Sequence, residues 1–182
     1  MRLFPEKTAM LLVDVQERLF VHIQDHEHLE KHLVALVQGL QHLEIPIVCN
    51  QQYTQGLGET IAPLKAVLKE THVYEKHTFS CCQNGDVMAR LKALNVTCVV
   101  VAGVESHVCV LQSVRDLIEA GFAVMLCVDA IGSRKYKDHE VALRRMEKEG
   151  AWLCTTESIL FELLSSANHP QFKAISALVK AL

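Results

Sequence analysis

The chain has 182 residues, of which 50% are hydrophobic, 21% charged and 5% aromatic, and its formal net charge is −3. That length suits a single domain, residues 1–182, able to bury roughly 70% of its unfolded surface. Four prolines and eight glycines exclude collagen-like and low-complexity chains, and the absence of a concentrated basic patch predicts no nucleic-acid partner.

In chain order, six short apolar runs alternate with helical patterns. The predicted strands are residues 8–13, 45–49, 71–75, 96–102, 122–128 and 151–154, which begin 25 to 37 residues apart. That is the spacing of βαβ units, and near-continuous apolar character says that both sheet faces are covered. Between the strands, Leu29, Leu33, Leu36, Val37, Leu40 and Leu43 trace one helical face, and Val87, Met88, Leu91 and Leu94 a second. Val110, Val114, Leu117 and Ile118 trace a third, which Gly121 can end as a left-handed C′ residue. Val141, Leu143 and Met146 precede Gly150, and two further helices are expected over 156–164 and 171–181. The expected fold class is α/β: a doubly wound, three-layer α/β/α domain on a parallel sheet.

No segment approaches the roughly 18 apolar residues of a spanning helix, so no membrane partner is predicted. The seven cysteines, at 49, 81, 82, 98, 109, 127 and 154, form no C-x-x-C pair. Most read as small buried hydrophobes in a reducing compartment. A soluble cytoplasmic protein is expected, with an organelle left open.

In doubly wound sheets, sites form beyond the carboxyl ends of the strands, where strand order reverses. Residues following the strands include Asp14 and Gln16, then Asn50 to Tyr53, then Glu75 to His77, then Gly103 to Cys109, and Asp129. Cys109 falls in the expected first turn of a helix, where the dipole can lower a thiol pKa to about 3.5–7.5. The alternative is one more buried cysteine. Asp14 reads as a helix N-cap or as a base for that thiol. Lys76 reads as a solvated charge or as the cation that stabilises a thiolate and orients Asp14. Asp129 reads as a cap on the turn after the fifth strand. His22, His26, His28 and His32 read as a solvated polar face, and Cys81-Cys82 as packing near a pocket mouth.

Five segments taken together, LLVDVQ (11–16), YEKHTFS (74–80), VAGVESHVCV (101–110), DAIGSR (129–134) and TTESILFEL (155–163), resemble the isochorismatase-like cysteine hydrolases. NQQYTQGLGET (50–60) is similar to the isochorismatase-domain-containing branch rather than to the nicotinamidases. The resemblance implies a six-stranded parallel sheet and an Asp-Lys-Cys triad on Asp14, Lys76 and Cys109. It also implies a cis peptide before Glu105 that aims the Glu105 and Cys109 N–H groups as an oxyanion hole. The implied reaction is two-step acyl transfer through a thioester, with a small amide or related carbonyl substrate. Gln16, Gln52, Tyr53, Phe79 and His107 are expected to line the substrate pocket. Nicotinamidases carry an Asp-x-His cluster after the second strand that holds a metal. Asn50-Gln51-Gln52-Tyr53 stands there in this chain, so neither a metal nor another cofactor is expected. The resemblance further implies a homo-oligomer, for which Ile175, Leu178, Val179 and Leu182 offer an apolar contact. Two other readings compete: a scaffold that keeps the fold without turnover, and a ribonuclease or RNA-associated protein.

Overall fold

The computed structural model of the protein describes residues 2–68 and 71–182. Its strands are β1 (Thr8–Val13), β2 (Ile47–Gln52), β3 (Val73–Lys76), β4 (Cys98–Val104), β5 (Ala123–Gly132) and β6 (Trp152–Cys154). They form one sheet in the order β3-β2-β1-β4-β5-β6, and every neighbouring pair is parallel. The helices are α1 (Glu17–Phe20), α2 (His26–His42), α3 (Thr54–Leu57), α4 (Ala62–Leu68) and α5 (Gly85–Ala93). After a π-helical turn at Ser106–Val110 come α6 (Leu111–Glu119), α7 (Tyr136–Lys148), α8 (Thr156–Leu164) and α9 (Phe172–Lys180).

The central strands are apolar on both sides because both sides are covered. On β1, Met10 and Leu12 pack into a core layer shared with α2, α8 and α9, while Ala9, Leu11 and Val13 enter an opposite layer shared with α5, α6 and α7. β4 divides in the same way, with Val100 and Ala102 on one side and Val99 and Val101 on the other. The expected three-layer α/β/α fold is the observed one. Strand order reverses between β1 and β4, which opens the crevice at their carboxyl ends.

Helix ends follow local chemistry. α6 closes as expected on Gly121 at φ 88°, where the Gly121 N–H bonds Ile118 O and the Phe122 N–H bonds Leu117 O. Gly150 closes α7 in the same pattern on Glu147 and Met146.

Several expectations are corrected. β2 runs through Gln52, β3 through Lys76 and β5 through Gly132, so residues expected in loops stand in strands. Parallel pairing continues along the backbone after the apolar side chains stop. Ile175, expected at a subunit contact, is fully buried within its own chain, where α9 packs on α2 and α8. His32 is not solvated: it is buried on α2, with Nδ1 3.2 Å from Asp129 Oδ2. Burial lowers the His32 pKa, against an opposing pull from Asp129. Asp129 caps the start of α8 instead of its own turn, accepting from the Thr156 N–H at 2.8 Å and the Thr156 hydroxyl at 2.9 Å. No helix among the described residues is long and apolar enough to cross a membrane.

Gly103, at the switch point, sits at φ 120°, and a Cβ there would lie 2.0 Å from Val13 O. Gly121 also has positive φ, but a Cβ there meets nothing within 4 Å. Gly103→Ala is expected to destabilise by about 3 kcal/mol or more, because backbone must move. Gly121→Ala should cost only about 1 kcal/mol, from the left-handed conformation. In thermal unfolding this corresponds to a Tm loss of at least ~6 °C against ~2–4 °C. Equal losses would contradict the close approach of β4 to β1.

Candidate active site

Asp14 directly follows β1 in the left-handed region, at φ 49°, a conformation aspartate tolerates better than most side chains. Lys76 is the last residue of β3, and its Cα partner across the ladder is Gln52. Strand β2 lies between β1 and β3, so the two charges meet across the end of an intervening strand. Lys76 Nζ donates to Asp14 Oδ2 at 2.6 Å, and both side chains have no exposed surface. The ammonium also donates to Gln52 Oε1 at 2.6 Å, Phe79 O at 3.0 Å and Thr78 O at 3.2 Å.

Cys109 completes the cluster. Its thiol lies close enough to the Asp14 carboxylate and the Lys76 ammonium to feel both charges, but neither group hydrogen-bonds to the sulfur, and Asp14 Oδ1 is buried without a partner. It is the fourth residue of the π turn, not part of an α-helical first turn, and it is 7% exposed. The expected depression of its pKa is not what this geometry gives. Burial, followed by the Asp14 charge, pushes the thiol up to about 12, with Lys76 pulling the other way. Burial also raises the Asp14 pKa, outweighing the Lys76 charge. Burial opposes the Lys76 charge, yet Asp14, Cys81 and Cys109 together leave its pKa above the ordinary value. The thiol therefore rests protonated beside a carboxyl and an ammonium placed as an ion pair.

The Val104–Glu105 peptide bond is cis. Glu105 O accepts from the Val108 and Val110 N–H groups at 3.1 and 3.2 Å. Its carboxylate accepts from the Arg134 backbone N–H at 3.1 Å and from Arg134 Nε at 3.0 Å. Among the described residues, no backbone carbonyl outside the regular elements takes the Glu105 or Cys109 N–H.

The remaining candidates divide by placement. Gln16 is fully buried and acts as a clamp, accepting from the Gln52 N–H at 2.7 Å and donating to Gln52 O and Gly58 O. Gln52 is on the ammonium. Tyr53 and Phe79 are exposed at 46% and 55%, and the Phe79 carbonyl, not its ring, faces Lys76. The His107 ring is paired with Ser133 Oγ at 3.0 Å, toward β5. Sequence reasoning missed Ser113, whose hydroxyl donates to Cys109 O at 2.7 Å and accepts from the Cys81 N–H at 2.9 Å. Its only signal was a small polar residue one helical turn after Cys109.

No group of three or more metal-binding side chains gathers among the described residues. A cavity of about 260 Å³ lies instead beside Gln24, His28, Asp129, Ser133, Tyr136 and His139, and touches none of the triad. Asp14, Lys76 and Cys109 bring a carboxyl, an ammonium and a thiol together at the carboxyl end of the sheet.

The family model for the isochorismatase domain matches residues 8–158. The chain belongs to the isochorismatase family. It is 36% identical to the bovine isochorismatase domain-containing protein 2, over 98% of this chain and 86% of that one. Isochorismatase family protein 1B of Dictyostelium discoideum is 34% identical, over 98% and 89%. Among solved structures, the MAR1 ribonuclease of Caenorhabditis elegans superposes with a TM-score of 0.94 at 34% identity, covering 99% of this chain and 93% of that one. The isochorismatase family is generally hydrolytic.

Removing the cation should expose how the cluster is balanced. Lys76→Met leaves a buried carboxylate without its partner, an expected loss of about 3–5 kcal/mol at neutral pH. Without Lys76, burial alone acts on Asp14, so its folded-state pKa stays above the unfolded value. A raised acid stabilises the fold at low pH and loses that contribution as pH rises through the raised pKa. The deficit of Lys76→Met against the native chain should therefore shrink as pH falls toward about 4. The double variant Asp14→Asn/Lys76→Met should recover part of the loss. Denaturant titrations at several pH values check this, and a pH-independent deficit would contradict it.

Proposed function

We propose that the protein is a cysteine-dependent hydrolase that cleaves a small amide or related carbonyl compound. The observation that carries this reading is the fully buried Asp14–Lys76 pair beside the Cys109 thiol. Asp14 takes the thiol proton, and the thiolate attacks the substrate carbonyl. The Glu105 and Cys109 N–H groups receive the oxyanion. Asp14 returns the proton to the leaving amine, and water then cleaves the thioester with Asp14 again as base. Lys76 stays protonated throughout and holds Asp14 in place.

The ribonuclease activity named for the Caenorhabditis elegans relative would bring an RNA phosphodiester to the same crevice. A net charge of −3 and a Cys109 residue only 7% exposed support a small neutral carbonyl substrate instead.

Acyl trapping tests the reading. With p-nitrophenyl acetate as donor, intact-mass measurement should show one acyl group on Cys109, released by hydroxylamine. Cys109→Ala should take none, and Asp14→Asn should acylate about 10²–10⁴-fold more slowly. Acylation that persists in Cys109→Ala at the native rate would overturn the mechanism. Cleavage of RNA by the native chain but not by Asp14→Asn would transfer the site to the ribonuclease reading.

A further inference from the structure

Lys76 offers three N–H bonds, but four oxygens already surround it. Asp14 Oδ2 and Gln52 Oε1 are the nearest at 2.6 Å, with the Phe79 and Thr78 carbonyls beyond, and the neighbouring Cys109 sulfur receives no hydrogen bond from the resting ammonium. The acceptors compete. An N–H directed at Gln52 is not directed at sulfur.

Gln52 cannot turn away from this contact. Its Nε2 donates to His77 O at 3.0 Å, which fixes the amide with Oε1 toward the ammonium. Its backbone is clamped on both sides by Gln16, and the Tyr53 N–H bonds Lys76 O at 3.0 Å. Gln52 and Lys76 are also direct partners in the β2–β3 ladder. The titratable groups facing Cys109 are Asp14 after β1, Lys76 on β3 and Cys81 in the following loop. Gln52 adds an oxygen without adding a charge.

We infer that Gln52 is a positioning residue: its Oε1 draws the Lys76 ammonium toward Asp14 and away from Cys109, and so sets the fraction of thiolate in the resting protein. The amide presents the negative end of its dipole to Lys76, which weakens the pull of that cation on sulfur. A side chain of similar length without the oxygen leaves three oxygens for three N–H bonds, so the thiolate competes against one acceptor fewer and loses the competitor at 2.6 Å. A full negative charge at the same place opposes the thiolate further. Reactivity of Cys109 should therefore fall in the order Met, Gln, Glu at position 52, whereas simple loss of packing would move both variants the same way.

This inference rests on the hydrolase reading for its purpose but not for its test. Alkylation by iodoacetamide, mapped by peptide mass, is followed at about pH 7 to 9 in the native chain, Gln52→Met and Gln52→Glu. Gln52→Met should alkylate at Cys109 about 3–10-fold faster at each pH, and Gln52→Glu about tenfold slower, one pKa unit being a factor of ten. The buried Cys81 should remain unlabelled in all three, which excludes general loosening. Changes in the same direction, or both rates within twofold of native, overturn the assignment. If Gln52→Glu does not fold, Gln52→Met decides alone: faster labelling of Cys109 with Cys81 protected supports the inference, and an unchanged or slower rate overturns it. Acyl trapping fails or succeeds separately, so a failed hydrolase reading is distinguishable from a failed role for Gln52.

Discussion

The buried Asp14–Lys76 ion pair is the constraint on which the crevice depends. Two charges with no exposed surface each lose several kcal/mol of hydration, and mutual attraction alone seldom restores it. The remaining donors must be satisfied, and the local chain is arranged to do so. Gln52 at the end of β2 and the Thr78 and Phe79 carbonyls after β3 supply the oxygens. Gln16 then holds Gln52, tying the segment after β1 to the end of β2. A β2 strand that stayed apolar to its end would remove one of the two shortest contacts of the ammonium, the Gln52 oxygen at 2.6 Å.

That requirement explains what was legible in the sequence and what was not. The fold was readable because burial on both sheet faces forces continuous apolar runs, although the alternation of Ala9, Leu11 and Val13 against Met10 and Leu12 is invisible as polarity. Gly121 and Gly150 marked helix ends because an open left-handed position favours glycine. The strand ends were misread for the complementary reason. Gln52 is polar because it meets the Lys76 ammonium, and Asn50 and Gln51 bond neighbouring backbone and Thr60, while their backbones remain in the ladder. Hydropathy reports the side chain, whereas pairing belongs to the backbone.

The other misreadings share a cause: the partner of each residue is distant in sequence. His32 looked solvated on a helix rich in polar residues, but Asp129 lies beside it from β5. Asp129 looked like a local cap, and its acceptors instead serve Thr156, 27 positions later. The π turn that carries Cys109 has no periodicity distinct from an α-helix over five residues. The strand-end rule placed Asp14, Lys76 and Cys109 at one crevice with alternatives open for each, and the family resemblance then singled them out as a triad.

The raised pKa of Cys109 does not oppose its proposed role as a nucleophile. Moving the proton from Cys109 to Asp14 converts a carboxylate and a thiol into a carboxylic acid and a thiolate, with Lys76 charged before and after. Total charge in the closed site is unchanged. Burial raises both acids, because it disfavours each charged form for the same reason. The gap between the two, at about 1.4 kcal/mol per unit, governs how readily the thiolate forms. Burial contributes to both sides of that gap, so what remains to set it is direction: how the three Lys76 N–H bonds divide between carboxylate and sulfur. A neutral amide beside Lys76, as Gln52 supplies, bears on that division without changing the charge of the site, and the proposed proton transfer from Cys109 to Asp14 likewise runs at constant charge.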